Sequence, residues 1–324
     1  MHEVEKSSAA QQVRTLVVDA GHDGQRLDNF LLGQLKGAPR TLIYRIVRRG
    51  EVRVNRGRVR ADYRLHLGDQ IRVPPLRLAD DKAGSAGVPG AAMSGHLETC
   101  VLYEQHGLIV LNKPHGLAVH GGSGVQLGVI EALRTMRPDY PFLELVHRLD
   151  RDTSGLLLLA YDRKVLLSLQ AQLREDHMVK RYEAVLAGDL QGRRHRVELP
   201  LLKYLLPSGE RRVKVDREGK PSRSDFEVKD RRQGLSRVSV RIYTGRTHQI
   251  RVHARSLGHA VLGDEKYGDE SMNLHWRQRG HTRLFLHARE LEFSQHGPFP
   301  ERFEAPLDPS FEALWQSLQQ GGQG

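Results

Sequence analysis

A chain of 324 residues holds enough material for two ordinary domains and a sizeable core, and its 39% hydrophobic and 27% charged content suits a globular protein, not a disordered or fibrous one. A net charge of +11 points to a polyanionic partner, because a basic surface steers and holds phosphates. With a single cysteine, Cys100, neither an internal disulfide nor a thiolate cluster for zinc or iron–sulfur can form, so a reducing compartment is expected. No run approaches the 18 apolar residues of a membrane span, and Met1-His2-Glu3-Val4-Glu5-Lys6 lacks the apolar segment of a signal peptide; a cytoplasmic location is expected.

Residues 1–12 are polar and are expected to form a disordered tail. A short strand is predicted over Val13–Val18, after which Leu27, Phe30, Leu31 and Leu35 fall at helical spacing until Gly37-Ala38-Pro39 breaks the pattern. A second helix is predicted over Arg40–Arg49, with Leu42, Ile43, Ile46 and Val47 inward and Gly50 closing it. Arg45, Arg48 and Arg49 share its opposite face at i, i+3 and i+4, a row of cations suited to phosphates; a solvated helix face is the plainer alternative. Two short strands follow, around Val52–Val54 and Ile71–Val73, with turns at Asn55-Arg56-Gly57-Arg58 and Leu67-Gly68-Asp69-Gln70. From Arg14 to Arg77 there are fourteen Lys or Arg against six Asp or Glu, so this segment carries +8 of the net +11. Residues 13–78 therefore read as a compact nucleic-acid-binding module.

Residues 79–95, small and rich in glycine and alanine, are expected to be a flexible linker, and residues 96–320 a second domain. Within it strands are predicted at Val101–Tyr103, Leu108–Leu111 and Leu156–Ala160, and around Tyr182–Leu186, Asp225–Val228, Val238–Tyr243 and Leu284–Phe293. Helices are predicted over Val125–Met136, after an Asp162 cap with Val165, Leu166, Leu169 and Leu173 inward, and over Thr247–Leu257 with Thr244 or Thr247 as cap. This order is not regular βαβ, and it implies an α/β (α+β) fold with a mixed, largely antiparallel sheet. Gly121-Gly122-Ser123-Gly124 is no P-loop, since Val125-Gln126 stands where Lys-Ser/Thr is needed, and no dinucleotide fingerprint surrounds Gly116 and Gly121. No cofactor is expected.

The most polar stretch is Val146-His147-Arg148-Leu149-Asp150-Arg151-Asp152-Thr153-Ser154-Gly155, wedged between the apolar segments Phe142–Val146 and Leu156–Ala160; it closes a tight turn or forms a site. Asp150 is the first candidate for nucleophile or base, since a partly desolvated carboxylate beside an arginine stays ionised and reactive. Asp152 competes, although Asp-Thr-Ser-Gly suits a turn in which its side chain bonds backbone N–H groups. A metal site from His147, His248, His253 and His259 is the rival, weakened because His248 and His253 are five apart and no H-E-x-x-H occurs. Ser154 lacks a nucleophile elbow. A second polar knot runs from Tyr243 to His253; Arg246 at its joint is placed to turn back and pair with Asp150, while Arg251 and His253 are expected to face RNA phosphate or the surface.

Gly24-Gln25-Arg26-Leu27-Asp28 and the basic helix after it resemble an S4-type RNA-binding domain. His147-Arg148-Leu149-Asp150 with Thr153-Ser154-Gly155, Gly245-Arg246-Thr247-His248-Gln249-Ile250-Arg251, and Leu286-His287-Ala288 resemble the RluA family of pseudouridine synthases, over nearly the whole chain from about residue 20. Lys113-Pro114-His115-Gly116 resembles a further family motif, with His115 where a small residue is usual. The resemblance implies isomerisation of uridine in large-subunit (23S) ribosomal RNA or a pre-ribosomal particle without a cofactor, and nothing in the sequence demands more than a monomer. It assigns Asp150 as the essential aspartate, Arg148 to the space left by the flipped base, Tyr182 to stack on the uracil, Arg246 to an ion pair with Asp150, and Leu286 to the pocket wall. Other readings are a non-catalytic RNA-binding or ribosome-assembly factor, a synthase acting on tRNA, and a metal-dependent nuclease.

Overall fold

The computed structural model describes residues 13–35, 38–76, 90–121, 127–295 and 297–320. The chain divides into two compact units, Met1–Val88 and Pro89–Gly324. The tail expected at residues 1–12 and most of the expected linker lie outside the described residues. No helix among the described residues is long and apolar enough to cross a membrane.

In the first unit, β1 (Arg14–Val17), α1 (Leu27–Gln34), α2 (Arg40–Arg48), β2 (Arg53–Val54) and β3 (Gln70–Val73) follow in order, the strands forming an antiparallel sheet β1-β3-β2. The helical spacing buries Leu27 and Leu31 of α1 and Ile43, Ile46 and Val47 of α2 against Leu65, Ile71 and Val73. Arg45, Arg48 and Arg49 are left exposed on the far side of α2. Asp28, in the first turn of α1, accepts from Arg26 and from the Tyr44 hydroxyl, at 2.7 Å each; Arg26 first of all pulls its pKa down to about 2. The first turn of α1 is thereby joined to the middle of α2.

The second unit opens with α3 (Ala91–Thr99). The last residues of the expected linker are thus helical, held by Leu97, which is fully buried. There follow β4 (Val101–Gln105), β5 (Leu108–Lys113), α4 (Val129–Met136), β6 (Glu144–Leu145), β7 (Ser154–Ala160) and α5 (Arg163–Arg174). Next come β8 (Met178–Ala187), β9 (Arg194–Glu198), β10 (Leu201–Leu205), β11 (Arg211–Val215), β12 (Arg223–Arg232) and β13 (Leu235–Ile242). The chain ends with α6 (Gln249–Ser256), α7 (Glu270–Gln278), β14 (Leu286–Phe293), β15 (Arg302–Glu304) and α8 (Pro309–Gln320).

A ten-stranded sheet runs β4-β5-β7-β14-β8-β13-β12-β9, with β6 added to β7 and β15 to β14, while β10 and β11 form a separate hairpin. It is the mixed, largely antiparallel sheet expected: every pairing is antiparallel except β7 with β14. Strand β7 is buried along its whole length, which is why it reads as an unbroken apolar run. Each of its four leucines contributes about 1.5–3 kcal/mol by leaving water. One core surrounds β5, β7 and α4; a second lies between β8, β12, β13 and α6, and Tyr182 packs against both.

Two boundaries differ from expectation. Helix α4 begins at Val129, and the expected Val125–Gln126 start lies outside the described residues. Helix α6 begins at Gln249 because His248 adopts a left-handed backbone, φ +53°. Neither Thr244 nor Thr247 caps it; the Thr244 hydroxyl donates to the Gln249 side chain at 2.7 Å instead.

Candidate active site

A cleft of about 830 Å³ in the second unit is bordered by Arg148, Asp150, Tyr182, Arg246 and Leu286, bringing together the predicted residues of that unit. Asp150 sits on the turn between β6 and β7, whose Thr153 amide donates to the Asp150 carbonyl at 3.2 Å. The turn leads straight into the parallel pairing of β7 with β14, Ser154 opposite His287 and Gly155 opposite Ala288. Gly155 has φ +105°, and a Cβ there would run into the Ala288 backbone. Only glycine lets the turn dock so closely. Thr153 and Ser154 are buried beneath it, and Ser154 Oγ lies 2.8 Å from His287 Nδ1 and accepts from Arg283.

The Asp152 carboxylate does not brace the turn through backbone N–H groups as expected. It is held by the neighbouring Arg151 guanidinium, Nε to Oδ1 at 2.9 Å. The brace is Lys113 at the end of β5, fully buried, whose Nζ donates to the carbonyls of Pro114, Leu117 and Arg151 at 2.7, 2.8 and 2.9 Å. Three carbonyls match the three donors of an ammonium. Burial nonetheless pushes the Lys113 pKa down, to about 7, against the pull of Asp152 and Asp150. The Lys113-Pro114 motif was visible in the sequence; its reach under the Asp150 turn was not.

The cation beside Asp150 is Arg251, not Arg246. Arg251 lies on the inward side of α6, its side chain only 5% exposed, with Nη1 at 3.3 Å from Asp150 Oδ2. Its Nε and Nη2 form a two-pronged pair with Asp264, each at 2.7 Å. Burial opposes its charge, but Asp264 and Asp150 together raise its pKa above the ordinary arginine value. Asp264 is itself held ionised: burial works against its charge, and the Arg251 fork and the amides of Lys266 and Tyr267 outweigh it. Arg246 precedes the helix and is exposed; its Nε donates to the Pro221 carbonyl at 3.1 Å, leaving its head at the cleft rim. His253, expected outside, is also fully buried, between the hydroxyls of Ser222 and Ser224 at 3.0 Å each. Helix α6 is buried on nearly every side, so its polar residues need partners within the protein.

Tyr182, on β8 between Val240 of β13 and Ala288 of β14, opens onto the cleft. Burial and then the Asp150 charge raise its pKa, so the ring is a neutral phenol. Leu286, at the start of β14, is 3% exposed and supplies apolar wall, while Arg148 is exposed at the rim. The four histidines of the metal reading take separate partners. His147 Nε2 accepts the Leu158 amide at 3.1 Å, and burial drops its pKa to about 4. His259 Nδ1 meets the Ala187 carbonyl at 2.9 Å, and His248 meets Tyr267. Among the described residues no three His, Cys, Asp or Glu side chains converge as metal ligands would.

Residues 107–256 match the RNA pseudouridylate synthase family, and residues 25–71 match the S4 domain. The "Ribosomal large subunit pseudouridine synthase C" of Pasteurella multocida (strain Pm70) is 48% identical over 312 residues, covering 96% of this chain and 95% of that protein. Its namesake from Escherichia coli (strain K12) is 48% identical, covering 94% and 97% respectively. Among solved structures, human RNA pseudouridylate synthase domain containing 4 aligns with a TM-score of 0.57 at 25% identity, over 70% of this chain and 96% of its own. Human RNA pseudouridylate synthase domain containing 1 gives 0.51 at 25% identity, over 68% and 94%. A carboxylate on a glycine-locked turn, an arginine clamped beside it and relatives that align nearly end to end lead to one conclusion: the chain belongs to the RluA family of RNA pseudouridine synthases, with an S4 domain ahead of its catalytic unit.

Proposed function

We propose that the enzyme converts specific uridines of large-subunit (23S) ribosomal RNA to pseudouridine, with Asp150 as the acting carboxylate. The observation that carries this is Asp150 in the cleft, at 3.3 Å from the Arg251 guanidinium and beside the Tyr182 ring, in a chain 48% identical to two large-subunit synthases. The bond from C1′ to N1 breaks, the uracil turns within the cleft, C5 bonds to C1′, and the C5 hydrogen leaves as N1 gains one. Asp150 acts by adding to C1′ or by taking the C2′ proton to give a glycal; either role needs an ionised, poorly hydrated carboxylate, and a cation beside it maintains that state.

The target base has to leave its stack to reach the cleft. In this reading Arg148 at the rim fills the vacated place, Tyr182 stacks on the uracil, and Leu286 forms the dry wall. Arg246 meets RNA at the rim. A phenol with a raised pKa is a poor base, so Tyr182 handles the C5 proton only in concert with another acceptor. Residues 13–78 hold RNA through Arg45, Arg48 and Arg49, residues 79–95 connect, and residues 96–320 catalyse. The enzyme works as a monomer in the cytoplasm, on 23S rRNA or a pre-ribosomal particle.

The test is a pseudouridine map of large-subunit rRNA transcripts treated with the protein and with its Asp150→Asn variant. Modification at discrete uridines, lost in the variant while RNA binding survives, is expected. Full activity of the variant would overturn the role of Asp150, and modification of tRNA alone would overturn the substrate.

A further inference from the structure

His248 is held in a position that no role assigned so far explains. Its left-handed backbone, φ +53°, is uncommon for a non-glycine residue. The ring is held from one side. Nδ1 lies 2.7 Å from the Tyr267 hydroxyl, the rings meet edge to face at 5.5 Å, and the same hydroxyl accepts the Val213 amide of β11 at 2.9 Å. With that amide donating to the Tyr267 oxygen, the phenolic hydrogen goes to Nδ1, and the neutral ring carries its own proton on Nε2. Nε2 faces Asp150, 3.8 Å from Oδ2. That gap is too long for a hydrogen bond and closes with a movement of about 1 Å.

We infer that His248 is a positioning residue for Asp150, whose Nε2–H closes onto the carboxylate when the target nucleoside fills the cleft. The inference rests on Asp150 being the acting group. Arg251 already supplies a positive charge at Oδ2; a neutral donor approaching the same oxygen fixes the carboxylate's direction without a second cation that would blunt its reactivity. The groups facing the ring are Asp150, Arg251, Lys266, Asp264 and Tyr267. Burial, ahead of the opposing pull of Asp150, lowers the ring's pKa, so the neutral form prevails near pH 7. Acidification that protonates the ring therefore slows the reaction.

The experiment is single-turnover pseudouridine formation on a large-subunit rRNA transcript, with RNA affinity measured separately, using the full chain. His248→Asn removes the ring with a residue that tolerates the left-handed backbone. His248→Gln places a non-titrating N–H donor at similar reach, and Tyr267→Phe deletes the hydroxyl that fixes the tautomer. His248→Asn is expected to slow the chemical step about tenfold or more with RNA affinity within about twofold, and His248→Gln to recover most of the loss. The acid limb of the pH–rate profile is expected to move to lower pH in His248→Gln and to higher pH in Tyr267→Phe. A His248→Asn variant at the wild-type rate overturns the inference, as does a loss of rate matched by an equal loss of affinity, or an acid limb unmoved in both other variants. Absence of pseudouridine with the wild-type protein overturns the proposed function instead, so the two failures are distinct.

Discussion

Arg251 commits two of its guanidinium nitrogens to Asp264 at 2.7 Å and reaches Asp150 with the third at 3.3 Å. The Asp150 carboxylate thus lies beside a cation that another carboxylate has already anchored, and its position depends on a fork only arginine provides. Lysine has no planar fork with which to grip Asp264 by two prongs while reaching Asp150. Arg251→Lys is expected to slow single-turnover modification by about a hundredfold. Arg246→Ala, removing a head at the cleft rim, is expected to weaken RNA binding while leaving that rate within about threefold. Stopped or quenched single-turnover assays on both variants make the comparison; the reverse ranking would return the Asp150 partnership to Arg246.

Asp264 ties this arrangement to pH. Its folded pKa lies below the ordinary value, so its contribution to stability is complete above the unfolded aspartate range of about 4 and is lost as pH falls through the folded pKa. Asp264→Asn leaves the Arg251 charge buried and is expected to cost about 3–5 kcal/mol near neutrality. Urea unfolding across pH should show the variant and the wild type converging in acid, and a gap that stays constant would refute the assignment.

Lys113 gives the opposite kind of dependence. Its folded pKa of about 7 lies below the free-lysine value, so between those two values the unfolded chain binds more protons and stability rises with pH. Lys113→Met is expected to lose that rise, to leave three carbonyls without their donor, and to lower the modification rate by displacing the Asp150 turn. Paired unfolding curves from neutral to alkaline pH, with wild type and variant differing in slope, provide the check.

At Gly155 the prediction is steric. Gly155→Ala brings a Cβ against the Ala288 backbone at a φ of +105°, and is expected to destabilise the protein by at least about 2 kcal/mol. It should also reduce activity in whatever fraction remains folded, because the turn has to retreat from β14. A midpoint in urea equal to that of the wild type would show that the two strands separate freely there.

The row Arg45, Arg48 and Arg49 is exposed on α2 of the first unit. Replacing all three by alanine is expected to leave that unit folded and to reduce the salt slope of rRNA binding by up to about 3, one per lost phosphate contact. Titrations at several salt concentrations measure it. An unchanged slope would mean that the row faces only solvent.

What could be read from the sequence follows the physical strength of each signal. Strand β7 was legible because a strand covered on both faces is apolar throughout, and α5 because Asp162 caps it, accepting from the amides of Lys164 and Val165. The basic face of α2 follows directly from its period. Asp150 was singled out by the polarity packed around it. The direction of Arg251 was not legible: six successive residues of α6, Gln249 to Ala254, are buried, so no stripe separates an inside from an outside. Its anchor, Asp264, lies 13 residues on, in a loop to which no pattern assigned a role. The hairpin β10–β11 escaped because only Leu201 and Val213 are buried in it, too little alternation to register as strands.

Ser154 and His287 meet across 133 residues of chain, directly after the turn that carries Asp150. During synthesis the turn therefore has no floor until β14 has emerged from the ribosome. A nascent chain lacking that strand already carries its basic first unit, yet has no seated Asp150 carboxylate. On the proposed role of Asp150, modification of RNA waits until β14 is in place.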